Sequence, residues 1–100
     1  MQVGTILGLT IGLLPLAAHA DEQALARSLA ATCANCHGTD GRSATKVVEP
    51  LAGKKKEDIV NLMQAFKAGS KPATVMHQLS KGYTDQQIEL VAAYFAMQKR

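Results

Sequence analysis

The sequence predicts a small all-α domain with long connecting loops. Three segments carry apolar residues at helical spacing, and two longer segments that contain both Gly and Pro separate them. No segment alternates apolar and polar residues for long enough to predict a strand. Loops of this length are uncommon in a small domain unless they serve a function. We therefore expect about three main helices, with their loops wrapped around a group that the chain itself does not supply.

The first twenty residues are typical of a secretory signal peptide. They contain no charged side chain, are rich in Leu, Ile, Gly and Ala, and end in the small-x-small sequence AHA. Pro15 interrupts an apolar run that is already short for a membrane span of about 20 residues. Because no Lys or Arg lies near the start, an uncleaved membrane anchor is the alternative. We expect cleavage after Ala20, export to the periplasm without a stable membrane span, and one domain over residues 21–100.

Each helix is predicted from a repeating apolar stripe. The first stripe has the spacing i, i+4, i+8, and the other two follow the i, i+3, i+4, i+7 template. The stripe residues, helix by helix, are Leu25, Leu29 and Cys33; Ile59, Leu62, Met63 and Phe66; and Ile88, Val91, Ala92 and Phe95. Gly69 is placed to end the second helix, and Thr84 with Gln87 forms a capping-box pattern before the third. Residues 38–54 and 69–83 are left as the two long loops.

Charge and aromatic content narrow the possible functions. The net charge is +3, and neither a large basic excess nor a recognisable motif indicates nucleic-acid binding. The run Lys54-Lys55-Lys56 is interpreted as the solvated start of a helix, with a docking patch as the alternative. Two Tyr, two Phe and no Trp give a short domain little bulk for a core. A bound cofactor is therefore expected to fill its centre.

The two cysteines of the chain lie in the motif CANCH, residues 33–37. CxxCH is the attachment signature of haem c, because two thiols three residues apart can add to the two porphyrin vinyl groups while the adjacent imidazole binds the iron. A disulfide would close a very small loop with little entropic gain, and a thioredoxin-like pair expects a βαβ context. A zinc site would have to recruit the isolated His77. We expect one covalently bound haem c, with thioethers at Cys33 and Cys36 and His37 on the iron.

The other face of the iron could be bound by a thioether or by a second imidazole. Met63 lies on the stripe of the second helix, where packing is the ordinary role of methionine, and Met97 lies close to the end of the last helix. Met76 lies in the loop between the last two helices, where an irregular backbone can direct a side chain inward. We favour Met76, and its neighbour His77 is the alternative.

The sequence resembles class I c-type cytochromes, and within them the cytochrome subunit of flavocytochrome c sulfide dehydrogenases. The strings that carry the resemblance are CANCHGTDG (33–41), LAG (51–53), AFKAGSKPATVM (65–76) and KGYTDQQIELVAAYFA (81–96). The first is shared by most cytochromes of this class, and the last two are more specific. The resemblance covers nearly all of residues 21–100 and implies a small class I cytochrome c fold, thioethers at Cys33 and Cys36, and His37 and Met76 as axial ligands.

The resemblance also implies structural details. Family members pack their first and last helices together through small residues, a part that Ala26 or Ala30 and Ala92 or Ala93 could play here. A backbone carbonyl in the loop before the LAG string often accepts a hydrogen bond from the proximal histidine, and the proline that the family commonly has there is replaced by Glu49. Many subunits of this kind carry two CxxCH motifs, whereas this sequence contains one.

The implied function is one-electron transfer by an exported single-haem protein, and not catalysis by the chain alone. With both axial positions occupied by protein, the iron would have no open position for a substrate. The implied donor is a flavoprotein subunit that oxidises sulfide, and the implied acceptor is another periplasmic electron carrier. The alternatives are a freestanding soluble carrier, and a haem sensor or peroxidase-like enzyme in which Met76 is absent from the iron or easily displaced.

Overall fold

In the computed structural model, the residues described are 1, 3–9, 12 and 14–100. These residues form five α-helices and one short 3-10 helix: α1 (Leu14–Ala31), α2 (Ala34–His37), the 3-10 helix (Thr39–Gly41), α3 (Lys56–Ala68), α4 (Met76–Lys81) and α5 (Asp85–Ala96). The same residues contain no strand, so the predicted all-α class is confirmed. Among them, no helix combines the length and the apolar character that crossing a membrane requires.

Helix α1 is longer than the periodicity predicts. It has 18 residues and continues without a break across Ala20, where cleavage is predicted. The buried stripe is displaced by one position, because Ala26 and Ala30 are buried whereas Leu25 is half-exposed. Small side chains on this face allow α1 to lie close to α5, with which it makes its main contact. This is the helix pairing that the family resemblance implies, whereas cleavage after Ala20 stays a prediction.

Helices α3 and α5 agree well with their predicted stripes. All four stripe residues of α5 are buried, and in α3 Ile59 and Met63 are buried while the other two are half-buried. Gly69 ends α3 in the left-handed conformation with φ 76°. The capping box of α5 is complete, since Gln87 N donates to Thr84 Oγ1 at 3.1 Å and Thr84 N donates to Gln87 Oε1 at 2.9 Å. Both predicted helix boundaries are confirmed.

Two short helices were not predicted by the apolar stripes, and one of them, α4, lies in the segment 69–83 that the sequence left as a loop. Helix α2 contains the end of the CxxCH motif, and helix α4 begins at Met76. The expectation of an irregular backbone at Met76 is therefore wrong. Neither helix has a side-chain hydrogen bond at its N-cap residue. Helices of one or two turns without caps show too little periodicity for the stripe template to detect.

The buried core is small and rich in alanine. In the described chain, nine apolar residues are buried: Ala26, Ala30, Ala52, Ile59, Met63, Ile88, Val91, Ala92 and Phe95. The loop after the CxxCH motif lies directly on this core at Gly41, which has φ 79°. A Cβ atom there would lie 2.8 Å from both Ala52 N and Phe95 Cδ1. Glycine is therefore required at position 41 for its conformation and for the close approach.

Candidate cofactor site

The CxxCH motif lies at the junction of α1 and α2. Cys33 is the N-cap residue of α2 and His37 is its last residue. The carbonyl of Cys33 accepts hydrogen bonds from Cys36 N at 3.3 Å and from His37 N at 2.9 Å. Both cysteines are free thiols, with Cys36 exposed and Cys33 half-buried against the core; this burial raises the pKa of the Cys33 thiol. One helical turn thus brings together two thiols and an imidazole.

The ring of His37 is fixed by a hydrogen bond through Nδ1. This nitrogen lies 2.6 Å from the backbone carbonyl oxygen of Glu49. Because a carbonyl oxygen only accepts, Nδ1 is the donor, and in the neutral imidazole this tautomer leaves the lone pair on Nε2. Metal-binding histidines characteristically donate their other ring N–H to a carbonyl or carboxylate in this way. The structure therefore assigns to Glu49 the carbonyl that the family resemblance implies.

Hydrogen bonds on both sides of Pro50 place the Glu49 carbonyl. Downstream, the backbone N–H groups of Leu51 and Ala52 donate to the Gly41 carbonyl at 2.8 and 3.1 Å. The Glu49 carboxylate itself accepts a hydrogen bond from Lys54 Nζ at 2.6 Å, which lowers the pKa of that carboxyl. The loop that carries the acceptor is thus tied to the loop that follows the CxxCH motif.

A polar network fixes the loop after the motif to α5. Asp40 has φ 54°, in the left-handed region that non-glycine residues rarely adopt. Its carboxylate accepts hydrogen bonds from the Tyr94 hydroxyl and, at 3.2 Å, from Arg42 Nη2. The hydrogen bond to the Asp40 carboxylate raises the pKa of Tyr94. Arg42 Nη1 also donates to the Lys99 carbonyl at 2.9 Å, so this network connects the motif to both α5 and the C-terminal residues.

A contact between Thr32 and Tyr83 supports the residue that precedes the motif. Thr32, the residue before Cys33, has its Oγ1 2.7 Å from the hydroxyl of Tyr83, and the Tyr83 carbonyl accepts a hydrogen bond from Lys67 Nζ at 2.6 Å. Sequence reasoning missed both tyrosine contacts. Tyr83 is 51 positions from its partner Thr32, and Tyr94 is 54 positions from its partner Asp40. The one hint of these contacts in the sequence was that two of its few aromatic residues carry a hydroxyl group.

Met76 lies on a different helix from the CxxCH turn, as the first residue of α4. Its side chain is half-buried, and both Met76 and Cys33 pack against the same buried cluster. Helix α4 packs on α3, and the neighbouring apolar residues Val75 and Leu79 are 54% and 52% exposed. Apolar side chains are therefore left in water beside Met76.

His77 is engaged in contacts of its own. Its Nε2 is hydrogen-bonded to the Lys71 carbonyl, and its ring centroid lies 6.3 Å from that of Phe66. Because the carbonyl accepts, Nε2 of His77 carries the proton. Binding a metal through Nε2 would require that hydrogen bond to break.

Comparison with known proteins identifies the family. The family model for cytochrome c matches residues 23–98. The chain is 46% identical over 67 residues to the cytochrome subunit of sulfide dehydrogenase from Chlorobaculum tepidum, an alignment that covers 67% of this chain and 60% of that protein. It is 36% and 37% identical to the cytochromes c4 of Azotobacter vinelandii and Pseudomonas aeruginosa, covering 91% of this chain and 48% and 45% of those proteins. The chain thus spans about half the length of these relatives.

A small helical domain that presents two thiols and an oriented imidazole in one turn is the structure of a haem-binding, electron-transfer protein. The family match gives the particular class: the chain belongs to the cytochrome c family. The family and the fold predicted from the sequence are both confirmed, and membership implies a covalently bound haem c.

The residues present fit that cofactor. Two free thiols and an imidazole with an available Nε2 form the required donor set. Four of the nine buried apolar side chains are alanines, and large apolar residues such as Val75 and Leu79 remain half-exposed. A flat apolar ring packed beside them would remove that surface from water, at about 25 cal/mol for each Å² buried.

Proposed function

We propose that this protein is an exported single-haem c-type cytochrome that carries one electron at a time. Cys33 and Cys36 hold the haem covalently, and His37 and Met76 are the axial ligands of its iron. The observation that carries the proposal is the 2.6 Å hydrogen bond from His37 Nδ1 to the Glu49 carbonyl. This contact orients Nε2 for metal binding within the same turn that presents both thiols.

The protein residues determine how readily the cofactor accepts an electron. When bound, the haem supplies the Fe(III)/Fe(II) couple. The hydrogen bond from Nδ1 to Glu49 makes the His37 imidazole a stronger donor, which favours Fe(III), whereas the neutral thioether of Met76 favours Fe(II). With His37 and Met76 both holding the iron, no position would be left for a substrate, so the site would suit electron transfer and not substrate turnover.

The proposed electron donor is a flavoprotein that oxidises sulfide, with this chain as its electron-accepting subunit and another periplasmic carrier as the acceptor. The 46% identity to a protein named as the cytochrome subunit of sulfide dehydrogenase supports this assignment. A freestanding soluble carrier is the second candidate. It is favoured by the cytochromes c4, which are less identical but align over 91% of this chain instead of 67%.

The proposed export separates residues 1–20 from a mature domain of residues 21–100. The family match supports this division, since it begins at residue 23, shortly after the predicted cleavage site. We propose that cleavage follows Ala20 and that the mature protein is periplasmic. Mass spectrometry of the exported protein tests the site directly, because a mature N-terminus at any residue other than Asp21 would contradict it.

A single purification tests the cofactor and the partner. The mature protein is isolated from its native host, and its mass and absorption spectrum are measured. We expect a mass increase of one covalent haem, the weak far-red band of a sulfur–iron bond in the oxidised protein, and a copurifying flavoprotein. A monomer with the same spectrum would favour the freestanding carrier, whereas absence of covalent haem would contradict the proposal as a whole.

A further inference from the structure

The loop that orients His37 has little backbone support of its own. In the described chain, residues 43–50 make no backbone-to-backbone hydrogen bond, and Val47 within them is 93% exposed. Segments without such hydrogen bonds open at low free-energy cost. Yet the Glu49 carbonyl has to remain on Nδ1 of His37 for the ring to keep its orientation. The hydrogen bonds of Leu51 and Ala52 to the Gly41 carbonyl hold the chain on the downstream side, and one side-chain contact holds residue 49 itself.

That contact is the ion pair between Glu49 and Lys54. Glu49 Oε1 and Lys54 Nζ are 2.6 Å apart, and the Lys54 side chain is 25% exposed against 66% for Glu49. Lys54 is the better anchored partner, because its N–H donates to the Leu51 carbonyl at 3.2 Å and the preceding Gly53 N–H donates to the Phe95 carbonyl at 2.9 Å. The ion pair thus connects the weakly supported segment to Lys54, whose neighbour Gly53 is hydrogen-bonded to α5.

We propose that Lys54 is a positioning residue for the haem ligand. By holding the Glu49 side chain, it keeps the Glu49 carbonyl on Nδ1 of His37 and so maintains the donor strength of the imidazole. The inference rests on the proposed function, in which His37 binds the iron. It also separates Lys54 from the other lysines of its run, since Lys56 pairs with Glu89 of α5 at 2.9 Å instead of with the His37 loop.

The test removes the ion pair without changing the net charge. In Glu49→Gln/Lys54→Met, methionine keeps most of the length of the lysine stem but cannot donate a hydrogen bond to the glutamine. The matched control is Lys56→Met/Glu89→Gln, which removes another ion pair of the same lysine run, with side chains 43% and 52% exposed. Since each double variant loses one positive and one negative charge, a simple charge effect on the potential is largely cancelled in both.

Two measurements on the haem-loaded protein report on His37 itself. Loosening the hydrogen bond weakens the imidazole as a donor, so the reduction potential of Glu49→Gln/Lys54→Met should shift upward. Exchange of the His37 Nδ1 proton, followed by NMR, should accelerate roughly two- to five-fold, as expected for loss of a surface ion pair. The control should show neither change, and the reversed pair Glu49→Lys/Lys54→Glu should restore both values.

The outcomes distinguish the inference from the function on which it rests. An unchanged potential and exchange rate in Glu49→Gln/Lys54→Met, or equal shifts in the control, would overturn the positioning role while leaving the cytochrome intact. A wild-type protein without covalent haem would contradict the proposed function, and the inference with it. An upward shift confined to Glu49→Gln/Lys54→Met and reversed by the charge swap supports the role of Lys54.

Discussion

The two sides of the proposed iron site are held by different kinds of contact. His37 ends a four-residue helix, and a directional hydrogen bond from its ring to the Glu49 carbonyl fixes its orientation. Met76 begins a six-residue helix and is held by packing against the core. A hydrogen bond determines both tautomer and orientation, whereas apolar packing is non-directional and tolerates substitution. The orientation of His37 is therefore specified by hydrogen-bond geometry. On the Met76 side, the proposed ligand is specified only by which apolar side chain reaches the haem.

Breaking the covalent attachment on the His37 side should have the largest effect. In Cys33→Ala/Cys36→Ala, no thioether can form, and the alanine-rich core loses the group proposed to complete it. Small domains often depend on such a group for stability, so we expect the yield of folded protein to fall sharply, measured by circular dichroism and absorbance of the purified fraction. Normal amounts of well-folded, haem-free protein would contradict this expectation. Met97→Ala, at a 67% exposed methionine, is the control for substitution outside the site.

Exchanging the ligand on the Met76 side should have the next largest effect. A second imidazole donates more strongly than a thioether and favours Fe(III). Met76→His should therefore abolish the far-red band and lower the potential by on the order of 0.1 V, a fraction of the roughly 0.8 V that axial ligands control. His77→Ala should leave both properties intact, because its ring is hydrogen-bonded to Lys71. If His77→Ala removes the sixth ligand and Met76→Ala does not, the protein is a bis-histidine cytochrome.

The rigidity of the loop on the His37 side can be tested with a pair of glycines. Gly41 and Gly69 have similar φ values of 79° and 76°, but a Cβ would clash with the core only at Gly41. Gly69→Ala should cost about 1–2 kcal/mol of unfolding free energy for its left-handed conformation. Gly41→Ala adds overpacking of about 1–3 kcal/mol, so it should be clearly less stable in denaturant titrations. Equal losses in the two variants would show that the loop moves away from the core freely.

The sequence predicted the parts of the molecule in which the contacts are local. The capping box at Thr84 and Gln87 and the left-handed Gly69 depend on neighbours within a few positions, and the structure confirms both. The buried stripe of α1 was placed one residue too early. A stripe template based on hydrophobicity prefers leucine to alanine, even where alanine is the residue that packs closely against another helix. What decides between Ala26 and Leu25 is the approach of α5, which the local pattern does not contain.

The candidate site divides in the same way. CxxCH is a local motif, so two thiols and an imidazole in one turn could be predicted. The carbonyl that orients His37 belongs to Glu49, twelve residues later, and only the family resemblance indicated the loop. Helix α4 at Met76 was missed because a six-residue helix without a side-chain cap is stabilised by packing on α3. Long-range contacts decide these features, and periodicity does not record them.

A smaller effect is expected from the hydrogen bond that supports Asp40 beside the CxxCH motif. Tyr94→Phe removes it at a cost of about 1 kcal/mol. Because the Tyr94 pKa is raised above its ordinary value of 10.0 in the folded protein, the contribution is complete below pH 10 and is lost as the pH rises through the folded pKa. The difference in unfolding free energy between wild type and Tyr94→Phe should therefore shrink in the alkaline range. A difference independent of pH up to 11 would contradict the assignment.

The smallest effect should come from the surface charges of Lys55 and Lys56. Lys56 is paired with Glu89 at 2.9 Å, which raises the pKa of Lys56, and exposed Lys55 precedes it at the N-cap of α3. If the lysine run is only a solvated helix start, Lys55→Gln/Lys56→Gln should leave electron-transfer rates with a redox partner nearly unchanged at low salt. Electrostatic steering is screened over about 10 Å at 0.1 M salt. A several-fold drop in rate with a weaker salt dependence would place these lysines in a docking surface.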